Sequence, residues 1–392
     1  MRIRPSNRAG WDLTPNAFSA ACQRRIREGQ QLLDLVQSNP TRIGLDTLTP
    51  VMLDALRHPA STRYEPNPLG IPCAREAVAS WYARRGLAVN PDRLMLTASS
   101  SEAYGTLLKL LCDPGDSILV PAPSYPLFDQ LARLEGVTVK RYPLMMEDGW
   151  RVCEAMVQQV VDSRTRAIFA VSPNNPTGSY LHSSELRSIE RVAREHNLAV
   201  VCDEVFAEYV WKEDTDRVVC AALEADVPTF SLGGLSKSAC LPQMKLGWIV
   251  MGEHVDQDTI HRLEMIADTY LSVSTPIQHA AGAFLDGATL ARDMLAQRIQ
   301  ENLAVLEHSI RATPVSVLPI DGGWYACLRV PSVMSDEQWA ELLVLEDGVV
   351  VHPGSFFGFP IPGILVIGLI AATNVFREGI QRLVARGEKV IA

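Results

Sequence analysis

The amino-acid sequence predicts an α/β fold, a mostly parallel sheet flanked by helices with a smaller α+β domain beside it. Three observations predict it. Short apolar runs alternate with helix-period segments from residue 94 to residue 202, the rhythm of strands joined by crossover helices. Those runs are apolar throughout, as strands covered on both faces are. After residue 255 the pattern becomes helical and then strand-rich, which marks a second, smaller unit.

The elements follow in order. Residues 16–36 place Phe18, Cys22, Ile26, Leu32, Leu33 and Val36 at helical spacing, and Ser38-Asn39-Pro40-Thr41 ends the run. Tyr64-Glu65-Pro66-Asn67-Pro68-Leu69-Gly70 is turn-rich and precedes a helical pattern over 73–85. Strand 94–97, helix 102–111, strand 117–120, helix 125–134 and strand 137–139 come next. The alternation continues with strand 167–171, helix 183–195 with Ser184 as its N-cap, and strand 198–202. Pro228-Thr229-Phe230-Ser231-Leu232 and Trp248-Ile249-Val250-Met251 read as two further buried strands. Helices over 261–270 and 278–306 lead to a strand-rich segment 322–330 and a helix over 336–345. Strands at 349–351 and 364–369 and a last helix complete the chain. The change of pattern near 280–290 predicts a large domain over 42–282 and a small domain built from 1–41 and 283–392.

Composition narrows the function classes. The 392 residues are too many for one compact core, and 47% apolar with 21% charged residues is the balance of a folded chain. Acids outnumber bases 45 to 36, a net charge of −9, which argues against nucleic acid or an anionic membrane as the main partner. Eight scattered cysteines form no CxxC pair and sit mostly in apolar contexts. They read as reduced core thiols of a cytoplasmic protein, not as disulfides or metal ligands. Met1-Arg2-Ile3-Arg4-Pro5 has no apolar h-region, so no secretory signal is expected. The longest apolar run, from Ile364 to Ala372, has about half the residues of a membrane span.

Four loops at strand ends carry the chemistry. Ser231-Leu232-Gly233-Gly234-Leu235-Ser236-Lys237-Ser238 delivers one lysine into a turn of small residues, and Lys245-Leu246-Gly247-Trp248 follows. Small neighbours let a planar ligand approach the backbone, and an amine there suits covalent chemistry. Thr97-Ala98-Ser99-Ser100-Ser101-Glu102 joins a strand to a helix, where hydroxyls and free N–H groups can hold an anion. Ser172-Pro173-Asn174-Asn175-Pro176-Thr177-Gly178 ends a strand, and Asn175 has a donor for a phenolate oxygen. Asp203-Glu204 closes an apolar strand, and a carboxylate buried there needs a cationic partner such as a protonated pyridine. Tyr125, within Pro123-Ser124-Tyr125-Pro126, can lie flat against a ring. Taken singly, these are also a surface lysine, helix caps, a rigid turn, a solvent-facing acid pair and a core tyrosine.

Together, in this order and spacing, Asn175, Asp203, Lys237 and Lys245 resemble the pyridoxal-phosphate (PLP) enzymes of fold type I, specifically the class I/II aminotransferases. The resemblance runs from Asn39-Pro40 to the final helix. It implies that Lys237 carries the cofactor aldehyde as a Schiff base, that Asp203 pairs with the ring N–H and that Asn175 bonds the ring oxygen. It implies that Tyr125 stacks on the ring and that Ser100, Ser101, Ser236 and Lys245 hold the phosphate. Tyr64 would reach that phosphate from the other subunit of a homodimer, and Asn39 would lie near the substrate beside Asn175.

Three departures accompany the resemblance. Phe206 stands where the family has a tyrosine that donates to the ring oxygen. Gly234 replaces a serine, and Lys245 replaces an arginine, a point charge in place of a fork. Val366 occupies the place of the arginine that grips the substrate carboxylate, and Arg4, Arg63 and Arg377 are the alternative cations weighed for that role. The resemblance implies transfer of an amino group between a small amino acid and a 2-oxo acid. The missing arginine keeps open an elimination, replacement or carbon–carbon bond-forming enzyme on the same scaffold. A cofactor-binding sensor without turnover is disfavoured, because residues 1–40 are too short and too weakly basic for a DNA-binding domain.

Overall fold

The apolar runs of the middle of the chain gather into one eight-stranded sheet. The computed structural model describes residues 3–45 and 47–391. Its strands are β1 (Leu33–Asp34), β2 (Leu94–Thr97), β3 (Ser117–Ala122), β4 (Thr138–Met145), β5 (Arg151–Val152), β6 (Thr165–Val171) and β7 (Ala199–Asp203). They continue with β8 (Thr229–Gly234), β9 (Gly247–Met251), β10 (Ser316–Val317), β11 (Tyr325–Arg329), β12 (Val349–Val350), β13 (His352–Pro353) and β14 (Ile364–Gly368).

The large sheet has the order β2-β9-β8-β7-β6-β3-β4-β5. Its centre, from β8 through β7, β6 and β3 to β4, is parallel, and β2, β9 and β5 add antiparallel pairings. Successive side chains of a strand point to opposite faces, and both faces here are covered. Val201 packs beneath the helices Ser100–Leu111 and Gln257–Tyr270, while Val200 and Cys202 pack beneath Ser183–His196. Trp248 and Leu96 pack beneath Pro72–Ala83 and the helix Thr275–Ser309. Because the central strands run the same way, Val171 of β6 lies opposite Asp203 of β7, which lies opposite Leu232 of β8. Their carboxyl ends therefore share one edge, the expected place for a ligand.

A second sheet, β10-β11-β14-β13, is antiparallel. Leu328, Leu365 and Ile367 on one of its faces join a core with Trp339 and with Phe376, Ile380 and Leu383 of the last helix, Thr373–Ile391. The helix Thr275–Ser309 contributes to this core and to that of the large sheet.

Two local expectations change. The helix expected over 16–36 covers only Ala17–Arg27, because Gly29 takes a left-handed φ of 72° and Leu33–Asp34 pairs instead with Val349–Val350. Ser184 is not the N-cap of its helix. His182, in extended backbone, stands there, and Glu185 accepts its N–H at 2.9 Å. All eight cysteines are free thiols, but only Cys202, Cys220, Cys240 and Cys327 are buried, so the core holds half of them, not most. Among the described residues no helix is long and apolar enough to cross a membrane.

Candidate active site

Lys237 sits in the single helical turn Leu235–Ser238 that directly follows β8. The strand reaches that turn through Gly233, where any Cβ would collide with the Trp248 indole. Tyr209 Oη donates to the Lys237 carbonyl at 2.8 Å and pins the turn. The ammonium projects over the Trp324 ring at 4.6 Å and the Phe206 ring at 5.5 Å, with the Ser38 carbonyl 3.5 Å away. Aromatic walls solvate an ammonium poorly, so burial pulls the Lys237 pKa down to about 8, against the smaller opposing pull of Cys240 and Asp203. The side chain is half-buried because the cleft it faces opens to solvent. An amine so placed has a sizeable free-base fraction near neutral pH.

Asp203 ends β7 and is buried. Tyr104 Oη donates to its Oδ2 at 2.6 Å and the Val205 N–H to its Oδ1 at 3.0 Å. Burial raises its pKa, while the two donors and the Lys237 charge pull the other way. Asn175 follows β6, and its Oδ1 is buried without a hydrogen-bond partner. The neighbouring Asn174 fixes this loop to the one bearing Tyr125. Its Nδ2 donates to Pro123 O at 3.0 Å and to Thr177 Oγ1 at 2.8 Å, and its Oδ1 accepts from Ser124 Oγ at 2.8 Å.

Ser100 opens the 12-residue helix Ser100–Leu111, capped by Ser99, whose Oγ accepts the Glu102 N–H at 3.1 Å. Gly247 passes so close to this helix start that a Cβ would lie 2.9 Å from the Ser99 carbonyl carbon. The chain reaches Gly247 from Lys245, which is exposed and takes a left-handed φ of 51°.

A cleft of about 580 Å³, its solvent-open mouth included, brings together Ser100, Tyr125, Asn175, Asp203, Phe206 and Lys237. Six sequence candidates thus meet in one place. Ser236 adjoins Lys237, and Ser101 adjoins Ser100. Asn39 lies next to the cleft-lining Ser38, but its Oδ1 accepts from the Thr41 N–H and hydroxyl at 3.0 and 2.8 Å. Tyr64 is 77% exposed and lies in a different depression, near Thr106, Tyr270 and Gln278. Arg4 and Arg63 are exposed, and Arg377 lines a separate cleft beside Glu301 and His308.

Sequence reasoning missed Tyr104, Ser38, Trp324 and Tyr325. Tyr104 carried a signal, since it lies one helical turn beyond Ser100 and so shares its face. The others come from distant segments. Opposite the polar edge stands the small sheet. Val366 pairs with Cys327 on one side and His352 on the other, so all three share one face. Cys327 Sγ approaches the Pro176 carbonyl at 3.4 Å, which shows that this face looks toward the Asn175 loop. Cys327, Phe357, Ile364 and Val366 form one buried apolar cluster there. Among the described residues lining the cleft, Lys237 is the only cation.

A family model described as aminotransferase class I and II matches residues 32–385, and the chain belongs to that family. The glutamate-pyruvate aminotransferase AlaA of Haemophilus influenzae is 26% identical over 366 residues, spanning 91% of this chain and 90% of that protein. The tyrosine aminotransferase of Homo sapiens is 27% identical over 375 residues, spanning 91% and 82%. Among solved structures, an alanine aminotransferase from Pyrococcus furiosus superposes with a TM-score of 0.88 at 23% identity, covering 98% of this chain and 100% of that one. That likeness confirms the fold type I architecture. Members of the family with this fold use PLP. The protein is an enzyme, a PLP-dependent transferase of amino groups. Nothing in these comparisons favours the elimination or carbon–carbon bond-forming alternative.

Proposed function

We propose that the cleft binds pyridoxal phosphate and that the enzyme moves an amino group between a small amino acid and a 2-oxo acid, as the names of its relatives suggest. One observation carries the reading: a half-buried amine of lowered pKa, Lys237, faces a buried carboxylate, Asp203, across one cleft. The residues fit the cofactor. Asp203 offers a charge to a ring N–H, and the Asn175 amide, which makes no side-chain hydrogen bond among the described residues, has an N–H to donate to the ring oxygen. Tyr125 supplies a flat face, and the start of the helix Ser100–Leu111 supplies N–H groups for a phosphate. Ser100, Ser101, Ser236 and Lys245 are the proposed phosphate holders, and Phe206 lines the ring's edge without a hydroxyl to donate.

When bound, the cofactor supplies an aldehyde that captures amines and a ring that withdraws electrons from the carbon bearing them. Lys237 would tether it and, as a free base, would take the proton from the donor's α-carbon and return it two atoms along, at the carbon that was the cofactor's aldehyde. Asn39 and Asn175 are the proposed substrate neighbours. We further read the chain as one subunit of a cytoplasmic homodimer, with Tyr64, exposed and outside its own cleft, completing the partner's site. The division into a cofactor-binding domain over 42–282 and a small domain of 1–41 with 283–392 belongs to the same reading.

The test is reconstitution with pyridoxal phosphate, borohydride reduction and peptide mapping, with keto-acid release measured over an amino-acid panel with pyruvate or 2-oxoglutarate as acceptor. Label on the Lys237 peptide and acceptor-dependent turnover support the proposal. A protein that takes up no cofactor in excess, or that turns over without an acceptor, overturns it.

A further inference from the structure

Tyr104 reaches Asp203 from the second turn of the helix that Ser100 opens, and its place there is costly unless it has a task. It is 2% exposed. Its ring stacks on Phe169 at 5.6 Å and meets the edge of Phe128 at 5.4 Å. A phenylalanine satisfies both contacts. The hydroxyl has one hydrogen-bond partner among the described residues, Asp203 Oδ2 at 2.6 Å. That distance lies in the range of charge-assisted O–H···O⁻ bonds.

From this geometry we infer that Tyr104 is a positioning residue that keeps Asp203 ionised, so that a proton shared between Asp203 and the cofactor's ring nitrogen resides on the nitrogen. The inference rests on the proposed cofactor reading and concerns where one proton resides. A carboxylate and a heterocyclic nitrogen can share a proton as an ion pair or as a neutral pair. Donation to the carboxylate stabilises its charged form and favours the ion pair. The groups that face Asp203 are few: Lys237 from the turn after β8, Tyr125 from the loop after β3, Tyr104 from the helix, and Cys202 beside it on β7. Only Lys237 among them is a cation, and on the proposed reading its amine is tied up by the cofactor. The Val205 N–H and the Tyr104 hydroxyl then remain to hold the charge. Phe206 sharpens the need, because it donates nothing on the opposite side of the ring.

The experiment compares wild type, Tyr104→Phe, Asp203→Asn and the double variant. In cofactor-free protein labelled with carboxyl-¹³C aspartate, the Asp203 resonance, assigned by its absence in D203N, titrates with a higher midpoint in Y104F. Pyridoxal phosphate binds Y104F about tenfold more weakly, while Y104F adds little on the D203N background. The pH at which bound-cofactor absorbance changes moves upward in Y104F, since a less positive ring withdraws fewer electrons. Phe128→Leu, which disturbs the packing of Tyr104 but not its hydroxyl, leaves the Asp203 midpoint in place. An unchanged midpoint in Y104F, or equal losses on wild-type and D203N backgrounds, overturns the inference. Should no variant bind pyridoxal phosphate, the cofactor reading fails by itself, and the carboxyl titration still decides whether Tyr104 governs Asp203.

Discussion

The two walls of the cleft are built on opposite principles. The large-sheet edge presents an amine, a carboxylate, an amide and hydroxyls, each held by a named partner: Tyr209 for the lysine turn, Tyr104 and Val205 for Asp203, Asn174 for the Asn175 loop. The small sheet on the other side gives the cleft Tyr325 and, behind it, buries Val366, Cys327 and Phe357 in an apolar cluster with no charge among them. On the proposed reading the first wall holds the cofactor. The substrate, on that reading, borders the second wall. On the proposed reading, its apolar character at Val366 makes substrate choice a matter of shape and of cations brought from elsewhere, since His352 beside it is buried, its Nδ1 without a partner and its pKa lowered by that burial.

The largest break in this comparison comes from Lys237→Ala. On the proposed roles, loss of both tether and proton carrier is expected to lower amino transfer by about 10³-fold or more, and borohydride no longer fixes the cofactor to the chain. Single-turnover kinetics with added pyridoxal phosphate measures it, and transfer at the wild-type rate refutes the role of the amine.

Trp324→Ala attacks the join between the walls. The indole is 1% exposed and lies against Phe206, Tyr209 and the Lys237 ammonium. Its removal is expected to cost about 3–5 kcal/mol of stability by denaturant unfolding. Water entering the space also relieves the burial that lowers Lys237. Wild-type Lys237 is mostly protonated below about pH 8 and mostly free above it, so the pH profile of its reaction with an amine-specific acylating reagent should shift upward in the variant. A profile that stays put places the cause of the lowered pKa elsewhere.

Val366→Arg tests the apolar wall directly. A guanidinium between Cys327 and His352 enters the buried apolar cluster of Val366, Phe357 and Ile364 with no carboxylate in it to pair with, so a loss of about 3 kcal/mol is expected. A 2-oxo acid that narrows the gap in melting temperature would show that this position faces the substrate. An arginine tolerated there without loss contradicts the reading of the wall as apolar and closed.

The contrast between the walls also explains what the sequence could reveal. Lys237, Asp203, Asn175 and Ser100 are legible because each sits at or within a few residues of a strand's end, where a few adjacent residues settle both conformation and chemistry. Tyr104 reads as one more core residue of an amphipathic helix, since periodicity reports the face a side chain takes and not the acceptor it finds. Ser38 lies 199 positions from Lys237, and Trp324 and Tyr325 arrive from another sheet, so no local pattern announces them. The shortened first helix has the same origin: Leu32 and Leu33 fit a helical stripe, but pairing with Val349–Val350 wins.

The smallest effect concerns the residue beside Asp203. Glu204 follows it on the chain and turns to the opposite face, where Oε1 accepts from the Ala221 N–H and from Ser231 Oγ, both at 2.7 Å. Burial raises its pKa from 4.5 to about 7, against the opposing pull of those donors and of the Arg85 charge. The folded state therefore holds this proton more tightly than the unfolded chain does. The resulting stability is present below the ordinary carboxylate pKa, declines as pH rises toward about 7, and is gone above it. Glu204→Gln keeps an acceptor for both donors and cannot ionise, so it should flatten the decline of melting temperature between pH 5 and about 7.5 while leaving cofactor binding intact. A variant whose melting temperature falls with pH as steeply as the wild type's would show that Glu204 is ionised throughout, and that the two neighbouring acids differ less than their surroundings imply.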